Sequence, residues 1–200
     1  MKRLIATTLL GLAATSIPCV AQYTSGGNAP VAAPNTDSYY NFTVVDQNNP
    51  FSADGLINYW QVYASAPGDQ IELLIVQLGT YDIVGTSSPE TTTVAGLNTF
   101  TLSTPISVTA GDYIGFWEGT PQGGPSSVEF SYTGGTMDYT SDDSGPPTSP
   151  LSFEGSQDRT YSIYASTPEG GASWLYLLLA GAACLGAGVF TSRARLAARP

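Results

Sequence analysis

Two kinds of side chain in this 200-residue chain could do chemistry, namely carboxylates and aromatic rings. Sixteen Asp and Glu stand against six Lys and Arg, and histidine is absent. Without imidazole there is no His general base, no Ser–His–Asp triad and no imidazole metal ligand. Both cysteines, Cys19 and Cys184, sit in apolar runs at the two ends, so the stretch between them has no thiol nucleophile. A carboxylate pair at suitable separation could still hydrolyse a glycoside. Nothing in the spacing marks such a pair, and the expectation is a protein that is not an enzyme.

Binding chemistry has more to draw on. Asp142 and Asp143, in the stretch YTSDDSG, and residues 46–49, which read DQNN, are clusters of hard oxygen donors on expected loops. Calcium takes several such oxygens, although neither spacing matches an EF-hand loop. Calcium is therefore the one cofactor the sequence offers; otherwise none is expected. Trp60 and Trp117, with Tyr39, Tyr40, Tyr113 and Tyr139, could present flat rings for stacking on pyranoses, which makes carbohydrate the ligand class to test. The competing role for these rings is the core, because aromatics favour strands.

The elements that would position these groups are strands. Candidates are 38–46, 56–65, 70–78, 98–102, 105–109, 112–117, 127–132 and 160–165. Residues 70–76 are apolar at nearly every position, which predicts burial on both faces. Residues 100–102 and 128–132 alternate, which predicts one wet face. Gly- and Pro-rich turns separate the runs, and no helical period with caps occurs between the two ends. The fold expected over 38–166 is all-β, an antiparallel β-sandwich, jelly-roll-like or alternatively immunoglobulin-like. Residues 106–116, ISVTAGDYIGF, are similar to a strand–turn–strand of bacterial jelly rolls. Residues 22–37, rich in Gly, Pro, Ser and Ala, read as a flexible linker.

Charge divides the chain into three. Fifteen of the sixteen carboxylates lie within 22–167, where Arg159 is the only cation, for a net charge of −14. Such a surface repels its own copies and offers nothing to neutralise phosphates, which excludes nucleic acid as a partner. The remaining cations flank the ends. Lys2 and Arg3 precede an apolar run that finishes in small residues before Ala21, the layout of a secretory signal peptide over 1–21. At the other end, residues 174–190 carry no charge and would form about 26 Å of helix. With its flanks, about 173–191, that helix reaches across a bilayer. Arg193, Arg195 and Arg199 follow it as a membrane stop and place the C-terminus on the cytoplasmic side.

The tail over 167–200 resembles a PEP-CTERM sorting signal. It has the three parts in order: Pro168 and Glu169, then the hydrophobic span, then a short Arg-containing end. Gly170 stands where the family motif has its second proline. The resemblance implies recognition by an exosortase-like processing enzyme in a Gram-negative bacterium, and association with extracellular polysaccharide in a matrix or biofilm. The expected protein is thus exported, anchored through its C-terminal helix or released by processing, and structural or adhesive in role. The alternative is a carbohydrate-binding or calcium-dependent module.

Overall fold

The computed structural model describes residues 23–39, 41–119, 125–141 and 145–167. The signal-peptide region, the sorting residues Pro168, Glu169 and Gly170, the apolar run and Arg193, Arg195 and Arg199 lie outside them. Among the described residues there is no helix, and none long and apolar enough to cross a membrane.

Fourteen strands form, in chain order β1 Ser25–Gly27, β2 Asn35–Thr36, β3 Phe42–Asp46, β4 Gly55–Ala64, β5 Gln70–Val76, β6 Ile83–Thr86 and β7 Glu90–Thr91, then β8 Gly96–Val108, β9 Tyr113–Gly119, β10 Glu129–Ser131, β11 Met137–Thr140, β12 Gly155–Gln157, β13 Thr160–Tyr161 and β14 Ile163–Ser166. All pairings between them are antiparallel. One sheet runs β1-β14-β4-β8. A larger one runs β12-β11-β3-β9-β5-β6, with β7 also on β5. A small one joins β13, β10 and β2.

The sheets close over one core, an all-β arrangement of the sandwich type. Alternating residues supply it, with the phase shifted once at the irregularity between Ile57 and Tyr59: Ile57, Trp60 and Val62 from β4 and Phe100, Ile106 and Val108 from β8 meet Ile71, Leu73, Ile75, Ile114 and Phe116 from the larger sheet. Burying each such side chain contributes about 1.5–3 kcal/mol. The odd-numbered residues of β5 fill this core, while Leu74 and Val76 point the other way. They are buried there in a second cluster with Val45, Trp117 and Leu151. The uninterrupted apolar run of β5 therefore has the two-faced burial its composition predicts.

Three expectations are corrected. Residues 22–37 are not a free linker across their length, since β1 pairs with β14 and β2 with β10. Gly27 makes that possible: its φ is +85°, and a Cβ there would lie 2.4 Å from the Ile163 carbonyl oxygen. Only glycine tolerates that φ and that approach, so the composition that reads as coil serves close strand contact. Second, the separate strands at 98–102 and 105–109 are one strand, β8. Pro105 falls where the pairing leaves register, between Ile57 and Tyr59 on β4, so its missing N–H costs no ladder bond. Third, β6, β11 and β12 form where no strand was expected, in short stretches without sustained apolar alternation.

Candidate functional site

Arg159, the lone cation of residues 22–167, is held by the two-residue connection between β12 and β13. A single cation on a domain of charge −14 has many partners to choose from, and it takes an internal one. Its Nη1 donates to both oxygens of Asp37 at 2.5 Å and to the Tyr161 hydroxyl at 3.2 Å. The Tyr161 hydroxyl in turn donates to Asp37. The guanidinium lies 4.3 Å from the Phe130 ring centroid, a cation–π distance. Burial works against the arginine's charge, but Tyr161 and Asp37 outweigh it and hold its pKa above the ordinary value. Burial, reinforced by the Asp37 carboxylate, pushes the Tyr161 phenol well up, so it stays protonated and donates. Above this cluster is a depression lined by Tyr39, Phe42, Met137, Tyr139 and Gln157, with a volume of about 10 Å³. That is room for one water and no larger ligand.

Two buried carboxyls pin loops to the larger sheet. Asp46, at the end of β3, accepts N–H bonds from the Asn28 and Asn48 side chains at 2.6 and 2.7 Å, and from the backbone of Asn48 and Tyr161 at 2.8 and 3.3 Å. Asn49 Nδ2 donates to Asn28 Oδ1 at 2.5 Å. Burial raises the Asp46 carboxyl above the usual range, against the pull of those four bonds. The stretch expected as a calcium loop is thus an amide-lined anchor for the N-terminal arm. Glu118, on β9, is wholly buried. Its carboxyl accepts from Ser126 Oγ at 2.5 Å and from the Ser127 backbone and hydroxyl at 2.8 and 3.3 Å. Burial, with the Asp69 carboxylate beside it, pushes Glu118 up to about 8.

The tryptophans have no open ring face. Trp60 is fully buried on the inner side of β4, 4.5 Å from the Phe100 ring. Trp117 is 6% exposed and packs under Leu151 in the second cluster. The stacking role expected of both is corrected, because alternation turned Trp60 inward and the 145–153 segment covers Trp117. Asp142 and Asp143 lie outside the described residues. Beside them, Thr140, Gly145, Pro147, Thr148 and Leu151 border a cleft of about 500 Å³ whose described lining carries no ionisable side chain. Among the described residues, no group of three or more Asp, Glu, His or Cys converges as a metal site would. Sequence reasoning did not single out Asp37, Tyr161 or Glu118. The isolation of Arg159 was the available signal for the first two; Glu118 had none, since nothing in its own stretch marks the serines eight and nine residues on as its partners. No protein family, curated protein or solved structure matches this chain.

Proposed function

We propose that the chain is an exported β-sandwich protein of a Gram-negative bacterium, displayed at the cell surface or released into an extracellular matrix through its PEP-CTERM-like tail. Its role is structural or adhesive, without catalysis. One observation carries this reading: the domain's two ends leave side by side. β1 pairs with β14, and the Thr167 N–H donates to the Thr24 carbonyl at 3.1 Å. Thr167, the last described residue, directly precedes Pro168, so a cut at the sorting motif would leave every described strand intact. Removal of 1–21 would likewise spare β1. The non-catalytic role is supported by the buried carboxyls, each committed to an internal partner. Asp37 is paired with Arg159, Asp46 with amides and Glu118 with serines.

The jelly-roll form of the sandwich is supported by strand order. Eight principal strands pair as β1-β14-β4-β8 and β3-β9-β5-β6. Taken in chain order, the first, eighth, third and sixth face the second, seventh, fourth and fifth, which is the winding of a jelly roll.

The test is intact-mass spectrometry of the protein from fractions of its native host. Loss of residues 1–21 is expected, with a C-terminus near residue 168 in the matrix or at Pro200 in the membrane. A full-length chain, leader included, in the cytosolic fraction would overturn the proposal.

A further inference from the structure

The fifteen carboxylates of residues 22–167 are not spread evenly. The larger sheet carries Asp46, Glu72, Glu90, Glu118 and Asp138 on its strands. The sheet β1-β14-β4-β8 carries no Asp, Glu, Lys or Arg at any position. Its inner face is the core. Period two puts Tyr59, Gln61 and Tyr63 of β4 on the outer face, with Tyr164 of β14 and Thr99 and Thr101 of β8 beside them. The threonines are exposed and the other four are half-buried.

Register sets the layout of this face. Gln61 lies opposite Tyr164 on one side and Thr99 on the other. Gln61 Nε2 donates to Thr99 Oγ1 at 2.9 Å, and the Tyr164 and Tyr23 hydroxyls are 2.7 Å apart. Tyr59 and Tyr63 are four residues apart on one strand, about 13 Å. Tyr164 sits between them, one strand over. Three phenol rings therefore stand on a floor of amide and hydroxyl groups, with Leu97 exposed opposite Tyr63 at its edge, across a span longer than any single sugar ring.

We propose that this face binds a neutral polysaccharide, with pyranose rings stacked on Tyr59, Tyr63 and Tyr164 and sugar hydroxyls bonded to Gln61, Thr99 and Thr101. Charge selects the ligand. An acidic polymer finds no cation here and is repelled by the rest of a −14 domain. A cationic polymer finds its carboxylates elsewhere. An uncharged, hydroxyl-rich chain with flat apolar ring faces matches both the rings and the polar floor, at no electrostatic cost. The proposal rests on the surface-display reading for its setting and names the face through which the domain would adhere.

The experiment is affinity electrophoresis of the full chain, purified in a mild uncharged detergent, through gels containing hydroxyethyl cellulose, mixed-linkage β-glucan or galactomannan, with alginate as the anionic control. Retardation is expected in at least one neutral gel and not in alginate. Tyr59→Ala and Tyr164→Ala should each weaken it tenfold or more, while Tyr59→Phe, which keeps the ring, should retain it. The circular dichroism melting midpoint identifies any variant lost to misfolding. For such a variant, Gln61→Ala and Thr99→Ala replace it and should weaken retardation severalfold. No retardation in any neutral gel, equal retardation in alginate, or retardation indifferent to these substitutions would overturn the proposal. So would a dimer in sedimentation velocity that Leu97→Lys disperses, because the face would then belong to a second copy. These gels use purified protein, so their failure is distinct from failure of export, which is read in host fractions.

Discussion

The outer faces of the two main sheets solve the same problem in opposite ways. On the larger sheet, Leu74, Val76 and Trp117 are apolar on the outside too, and Leu151 and Phe153 from the segment after β11 close over them. That sheet's central strands β3, β5 and β9 are buried on both sides and must accommodate carboxyls among them, which they do with hydrogen bonds and a raised Glu118 pKa. On the sheet β1-β14-β4-β8, tyrosine, threonine and glutamine stand on the outside with the exposed Leu56 and Leu97, and charge is missing altogether. One sheet is stabilised by internal polar pairing. The other leaves a neutral surface that needs no pairing. The difference predicts that substitutions on the larger sheet and its loops act mainly on stability, and those on the smaller sheet's outer face mainly on binding.

The strongest way to break that contrast is at Arg159. Arg159→Met leaves Asp37 buried without its cation and is expected to cost about 3–5 kcal/mol in urea unfolding. Adding Asp37→Asn should recover part of the loss, because the orphaned charge is gone. An unchanged midpoint for the single variant would show that the pair contributes nothing.

Next in size is the pH dependence centred on Glu118. Its folded pKa, about 8, lies above the ordinary carboxyl value of 4.5. Between those values the native carboxyl holds a proton that the unfolded one has released, so unfolding releases a proton and rising pH favours it. The contribution is complete below about pH 4.5 and is lost as pH climbs through 8, at up to about 1.4 kcal/mol per pH unit for one such group. Burial raises Glu72 and Asp46 in the same direction. The melting midpoint should therefore fall from pH 5 to pH 8.5, and Glu118→Gln should flatten much of that slope. A wild-type profile that rises over this range would contradict the burial of Glu118.

Smaller effects separate the terminal strand from the open face. Gly27→Ala forces a Cβ against the Ile163 carbonyl at positive φ and should cost more than about 1 kcal/mol in the same unfolding assay. It should also speed proteolysis near β1. Gln61→Ala, which loses only an exposed bond to Thr99, should shift stability by no more than about 0.5 kcal/mol. A large loss there would mean that the open face is itself structural.

The strands were legible wherever one side chain in two had to be dry. Residues 56–65, 70–78 and 112–117 were readable from apolar pattern alone, and the two-faced burial of β5 from its lack of alternation. β1 was not legible because its signal, glycine, is shared with coil. Neither was β11, whose Met137 is buried while Asp138 beside it is bonded to Gln47 and Ser156. The aromatic residues were visible as a class, but which rings face water depends on strand phase. A tryptophan one position along from Tyr59 is core, and the tyrosine is surface.

By itself the sequence determined the all-β character of the middle, its acidity and the isolation of Arg159, since composition and period are local properties. The tertiary structure alone decided that Arg159 meets Asp37 across 122 positions of chain, that Glu118 meets Ser126 and Ser127, and that β1, β14, β4 and β8 together make a sheet with no charged residue on its strands. Those outcomes depend on which strands pair. Pairing is chosen by the burial of the whole core at once, which no single stretch of residues encodes.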